Sequence, residues 1–312
     1  AGFILPGGAA EAFRTELSED VAASAPESSS QAPSSSSKPA ASSSSKPVSS
    51  SASSGTVSET VTGTVREMSI SNSGIQYENM WVKNTNQYHD IDIAAELAKQ
   101  PAVKMKKDGT KQILIYHTHT TEAFAGSSRT QDNSQNVVAV GEEIKKQLEA
   151  AGFGVVHDTT CHDYPSYNGS YDRSGETIQR NLEKYPDIQV TLDVHRDAMG
   201  TQDGMRIKPT ALINGKKAAQ VMIISGCDDD GTLGFPNWEY NLRLGVRIQK
   251  SLSDLYPGLA RPLSFCPKKY NEHMTKGSLL VEFGTEVNTL EEVKYSGQLF
   301  GKALAETLEQ LT

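Results

Sequence analysis

Side chains able to hold a metal or move a proton stand at the ends of three apolar runs. Ile113-Leu114-Ile115-Tyr116 leads into His117-Thr118-His119-Thr120-Thr121-Glu122, Leu192-Asp193-Val194 into His195-Arg196-Asp197, and Leu279-Leu280-Val281 into Glu282-Phe283-Gly284. Catalytic zinc takes three nitrogen or oxygen ligands and keeps a fourth position for water, whose pKa falls from about 15.7 to about 7. His119, His195 and one carboxylate supply that set for Zn2+. Glu122 is the first choice for the carboxylate, and Asp132, ahead of Asn136-Val137-Val138, is the alternative. Glu282 follows residues expected to be buried, where an unpaired carboxylate costs several kcal/mol, so a cation, its water network or Arg196 should meet it. Its expected work is that of a general base, taking a proton from water and returning it to a leaving amine. The planar fork of Arg196 suits a substrate carboxylate or a developing oxyanion.

The remaining histidines rank lower. Strand alternation puts His117 on the same face as His119, where it is expected to orient that ligand from behind. His162 and Asp163 are placed at the rim, His157 and His273 near loops, and His89 on the surface.

These groups are far apart in sequence, so the fold has to assemble them. Strands are expected at 112–117, 153–157, Ile188–Val194, Ala211–Ile213, Val221–Ser225 and Ser278–Phe283. Helices are expected at Ser134–Ala151, stopped by Gly152, and at 174–184, 237–255 and 290–311. The alternation implies an α/β fold with a mixed, mostly parallel sheet and helices on both faces. In a parallel sheet the carboxyl ends share one edge, so His119, His195 and Glu282 are expected to converge.

The chain divides into three by composition. Residues 1–54 hold a small apolar patch, a short helix near Glu11–Leu17, and then a Ser/Pro-rich stretch containing Ser34-Ser35-Ser36-Ser37-Lys38-Pro39 and its near repeat Ser42-Ser43-Ser44-Ser45-Lys46-Pro47. Such a stretch cannot bury enough apolar surface to offset chain entropy and reads as a disordered tether. Residues 55–107 form a small β-rich lead-in, with strands over Thr56–Ile70 and Ile75–Val82 and a helix at Ile91–Leu97, and 108–312 carry the chemistry. A net charge of -8 argues against a nucleic-acid partner. Cys161, Cys227 and Cys266 form no CxxC pair and carry no functional assignment. No apolar run approaches the roughly 18 residues of a membrane span. The opening Ala1-Gly2-Phe3 instead of Met leads us to expect an N-terminal signal or anchor removed from this chain. P-loop, dinucleotide, GxSxG and HExxH motifs are all missing.

His117-Thr118-His119-Thr120-Thr121-Glu122, Asn136-Val137-Val138-Ala139-Val140-Gly141, Leu192-Asp193-Val194-His195-Arg196-Asp197-Ala198, Tyr270-Asn271 and Val281-Glu282-Phe283-Gly284 through Asn288-Thr289-Leu290-Glu291-Glu292 together resemble the stage II sporulation protein P family over roughly residues 60–312. That family is similar in turn to zinc-dependent N-acetylmuramoyl-L-alanine amidases with an α/β core. The resemblance implies His119 and His195 as zinc ligands and Glu282 as catalytic base. It leaves the middle ligand between Glu122 and Asp132, because those amidases place a Glu shortly before the first long helix. It implies a peptidoglycan hydrolase that cuts the amide between the lactyl group of muramic acid and L-alanine, with a second, endopeptidase activity. It also implies membrane anchoring, action outside the cytoplasm at the sporulation septum during engulfment, and stage II sporulation proteins D and M as partners. A non-catalytic peptidoglycan-binding scaffold, or a zinc peptidase or deacetylase on the same ligands, is the alternative.

Overall fold

The computed structural model describes residues 54–71 and 73–312. The expected tether, Ser54 apart, and the helix near Glu11–Leu17 lie outside the described residues. The lead-in contributes β1 (Gly55–Thr56), β2 (Thr60–Thr62), β3 (Val65–Met68), β4 (Ile75–Tyr77), β5 (Met80–Asn84) and α1 (Ile93–Ala98). Next come β6 (Lys111–Tyr116), α2 (Val137–Ala150), β7 (Gly154–His157), α3 (Ser170–Lys184) and β8 (Val190–Asp197). The chain continues through β9 (Arg206–Ile213), β10 (Lys216–Ala219), β11 (Val221–Gly226), α4 (Trp238–Leu255), β12 (Leu263–Cys266), a 3-10 turn at Glu272–Met274, β13 (Ser278–Thr285) and α5 (Leu290–Glu309).

Eight strands form one mixed sheet in the order β4-β5-β12-β11-β13-β8-β6-β7. Strands β13, β8, β6 and β7 are parallel to one another, as are β5, β12 and β11. The two blocks meet antiparallel at β11 and β13. The sheet is therefore mostly parallel, as expected, but its carboxyl ends fall on two opposite edges. A second sheet is built on β9, which pairs antiparallel with β1 and β10 and parallel with β3.

The lead-in differs in detail from its sequence pattern. Thr56–Ile70 breaks into β1 and the β2–β3 hairpin, and Ile75–Val82 folds back on itself as the β4–β5 hairpin. Gly63 and Glu78, both at positive φ, make those reversals. Strands β10 and β12, four residues each, were too short to stand out from their surroundings.

Period-two alternation sends the two faces of the sheet to different partners. Ile113, Ile115, Leu192, Val194, Ile223, Val281 and Phe283 join the main core under α2, α4 and α5, which pack on one another. Leu114 and Tyr116 meet Ile178 of α3 on the opposite face. Helix α2 starts where the Asn136 side chain accepts the Val138 N–H at 2.9 Å, and it buries Val137, Val140, Ile144 and Leu148 at helical spacing. Helix α5 starts in a capping box, Thr289 with Glu292.

Candidate functional site

The site face carries Tyr116 of β6, Asp193 and His195 of β8, and Leu280 and Glu282 of β13. Tyr116 is level with Asp193, Asp193 with Leu280, and His195 with Glu282. Beyond Tyr116 the chain leaves the strand and turns at Thr118–Thr121. This turn brings His119 over the end of β8, with ring centroids of His119 and His195 5.0 Å apart. Glu122, at the end of the same turn, reaches between them. Its carboxylate lies 3.4 Å from His119 Nδ1 and 3.5 Å from His195 Nδ1.

His119, Glu122 and His195 thus offer ligand atoms that all lie within 4.8 Å of one another, and all three are buried. Burial alone would raise the Glu122 carboxyl, but the two imidazoles outweigh it and hold it well below the usual range. Burial would lower His195, yet Asp193 and Glu122 drive it well above its ordinary value. The pocket therefore favours positive charge. Among the described residues His119 Nε2 is buried with no hydrogen-bond partner. Two imidazoles, a carboxylate and an unsatisfied ring nitrogen fit a divalent cation such as zinc.

Asp193 is the residue that sequence reasoning passed over. Its Oδ1 lies 2.9 Å from His195 Nε2 and accepts the Thr118 N–H at 2.8 Å, while Oδ2 accepts the Thr118 hydroxyl at 2.6 Å. One carboxylate therefore pairs by charge with His195 and ties down the turn that carries His119. The signal was present, since Asp193 and His195 are two apart on one strand and must share a face.

Asp132 is not part of this group. It is exposed and accepts the Ser134 N–H and hydroxyl at 2.9 and 2.7 Å, a local turn. Glu282 stands beside His195 by register, half-buried in a strand whose other residues are buried. A bulge follows it between Glu282 and Thr285. Gly284 there has φ 62, and a Cβ would come within 2.8 Å of Ala219 Cβ, so only glycine fits.

Arg196 points away from His195, as alternation requires. Its Nε donates to the Ala123 carbonyl at 2.7 Å and a terminal nitrogen donates to the Ser128 carbonyl at 2.8 Å, while its backbone N–H donates to Glu122 Oε2 at 3.1 Å. The guanidinium pins the 123–128 loop, a different contact from the substrate or oxyanion one expected of it.

His117 does not back His119 either, because the strand ends one residue earlier and alternation no longer applies. Its Nδ1 donates to the Val194 carbonyl and its Nε2 faces His157 Nε2, each at 2.9 Å. Burial, then the neighbouring His157, pushes its pKa down to about 3. Gly141 of α2 makes room for this pair, since a Cβ there would lie 2.7 Å from His157 Nε2. His162 and Asp163 are buried and not at a rim. His162 Nδ1 donates to the His117 carbonyl at 2.7 Å, and Asp163 accepts from the Thr121 hydroxyl at 2.7 Å and from Arg129 at 2.6 Å. Arg129 in turn lies over the Tyr167 ring, which stacks on His119 at 4.5 Å.

Among solved structures, the chain is similar to N-acetylmuramoyl-L-alanine amidase AmiC2 of Nostoc punctiforme at 10% identity and a TM-score of 0.41, over 65% of this chain and 97% of that one. It is similar to the CwlD amidase from Clostridioides difficile, in complex with the GerS lipoprotein, at 10% identity and a TM-score of 0.40, over 64% and 98%. Likeness at that level says nothing about activity. In sequence it matches stage II sporulation protein P of Bacillus subtilis strain 168, 28% identical over 217 residues, 63% of this chain and 51% of that protein. The chain therefore spans about half the length of this curated relative. The family model for stage II sporulation protein P matches residues 11–305. With most of its length matched by that model, the chain belongs to the stage II sporulation protein P family.

Proposed function

We propose that this chain is a zinc-dependent peptidoglycan hydrolase, cutting the amide between the lactyl group of N-acetylmuramic acid and L-alanine of the stem peptide. The observation that carries the reading is the buried group of His119, Glu122 and His195 with Glu282 level with His195 on the next strand. His119, Glu122 and His195 would hold the metal. Zinc there would supply Lewis acidity toward a water and the scissile carbonyl.

Glu282 is the catalytic base, and its half-exposed position lets it meet a water that fully buried neighbours could not. It takes the proton as the water oxygen bonds to the carbonyl carbon. It returns that proton to the alanine nitrogen as the carbon–nitrogen bond breaks. Asp193 and Arg196 are positioning residues, holding His195 and Glu122 respectively. Residues 108–312 would carry the reaction, with 55–107 as lead-in and 1–54 as a tether. The setting that accompanies this proposal is the outer face of the membrane at the sporulation septum during engulfment, with stage II sporulation proteins D and M, and with endopeptidase cleavage as a second activity.

Purified sacculi digested by the wild-type chain should release stem peptides with free L-alanine amino termini, and chelation should stop the release. In Glu282→Gln we expect bound metal to be retained and release to fall by about 10²–10⁴-fold, the usual weight of a general base. Binding to sacculi with no solubilisation, indifferent to chelator, would identify a scaffold instead. Acetate release would identify a deacetylase.

A further inference from the structure

The second carboxyl edge of the sheet carries its own cluster. Strands β5, β12 and β11 end at the edge opposite that of β6 and β8. After β5 the loop is folded by Asn84, whose side chain donates to the His89 carbonyl at 2.7 Å and accepts the Asn86 N–H at 3.0 Å. After β11, Asp229 accepts the Gln87 N–H at 2.7 Å and the Tyr88 N–H at 3.0 Å, binding that loop to the end of β11. Cys227 between them is held by its own N–H, which donates to the Cys266 carbonyl at 2.8 Å. The His89 ring rests against Trp238 with centroids 4.8 Å apart. Ligand atoms of His89, Cys227 and Asp229 consequently all lie within 4.8 Å of one another, across 138 to 140 residues of sequence.

We propose that His89, Cys227 and Asp229 form a second divalent-metal site, selective for a thiophilic cation such as zinc, that clamps the β5–α1 loop to the end of β11. A thiolate, an imidazole and a carboxylate are the mixed ligand set that zinc accepts, and the thiolate selects against hard ions. Each Asp229 oxygen has a second lone pair left after accepting one backbone N–H. Cys227 is fully buried while His89 is only partly so, which leaves the solvent side for a water as fourth ligand.

Two other uses of this thiol fit less well. Cys227 belongs to the main core and Cys266 to a cluster on the opposite face of the sheet, so a disulfide between these neighbours is not favoured by their placement, and both are free thiols. A nucleophilic cysteine needs a depressed pKa. Burial, with the carboxylates of Asp229, Asp228 and Glu239, pushes Cys227 up to about 12 instead. Binding therefore exchanges the thiol proton for the metal, Cys–SH plus M2+ giving the metal thiolate and H+. The surrounding acids that hinder thiolate formation favour the cation.

Cobalt loading of the full chain tests this, because a cobalt–thiolate bond has a near-ultraviolet charge-transfer band that imidazole and carboxylate ligands lack. We expect that band in the wild type, and about two metal ions per chain by elemental analysis, one per cluster. Cys227→Ser should abolish the band and remove one ion, and His89→Gln should weaken cobalt binding by more than tenfold. Cys161→Ser and Cys266→Ser should leave the band in place. His119→Ala should keep it too, which separates this site from the proposed hydrolytic one. No band in the wild type, a band surviving Cys227→Ser, or a band lost with His119→Ala would each overturn the proposal.

Discussion

The two edges of the sheet are built on one plan and end in different chemistry. At one edge β6, β8 and β13 present His119, Glu122, His195 and Glu282. At the other, β5 and β11 present His89, Cys227 and Asp229. The first cluster is oxygen- and nitrogen-lined, wholly buried, backed by Asp193, and faces a half-exposed carboxylate that can accept a proton. The second includes a thiol, and its imidazole and carboxylate, His89 and Asp229, are themselves candidate ligands. A nearby general base and an open water position suit turnover, whereas a thiolate and a tethered loop suit holding structure in place. Reversing strand direction at the β11–β13 junction is what gives one sheet both edges.

The sharpest way to break this contrast is His119→Ala. Hydrolysis should fall to background and one metal ion should be lost, with the thiolate-bound ion unaffected. Retained hydrolysis would remove the first cluster from the chemistry. Asp193→Asn should act next most strongly, because it leaves all three ligands in place and replaces the carboxylate that pairs with His195 and the Thr118 turn by a neutral amide with one acceptor oxygen. A loss of about 10–100-fold in metal affinity is expected, measured by competition with a fluorescent chelator. An unchanged affinity would mean that the turn positions His119 without it.

Much of the first edge was legible in sequence, because apolar runs followed by His or Glu announce the strand, although β8 and β13 run on past His195 and Glu282 to Asp197 and Thr285. Glu122 over Asp132 was not decided there, since either could follow the strand. Only the turn at Thr118–Thr121 directs Glu122 inward, while Asp132 closes a local turn in solvent. His117 misled for a related reason, as period-two reasoning fails once the strand ends at Tyr116. The second edge was invisible. Nothing in composition tells a strand's direction, and His89 meets Cys227 only because β12, a four-residue strand, places β5 and β11 on either side of itself.

The His117–His157 pair behind the first edge predicts a smaller effect. His117 in the unfolded chain takes up a proton near 6.5, but in the folded chain only near 3, so the unfolded state binds more protons between those values. Stability should therefore fall as pH drops from 6.5 toward 3, by up to about 1.4 kcal/mol per pH unit from this group. Urea unfolding in steps below 6.5 measures the slope, and His117→Gln should flatten it. The smallest effect belongs to the second edge. Asp229→Asn should lower the Tm of the metal-free chain modestly, because the amide keeps only one of the two acceptors that hold Gln87 and Tyr88, and should in addition diminish the rise in Tm produced by added zinc. An equal drop with and without zinc would make Asp229 a loop-stapling residue only.

Glu282 is proposed to drive amide hydrolysis beside a metal held by His119, Glu122 and His195. Mass analysis of muropeptides from sacculi digested with wild type and with Glu282→Gln, at matched metal content, tests it most directly. We expect free stem peptides and peptide-free muramic acid from the wild type, and neither from Glu282→Gln. Equal release by the two proteins would contradict it.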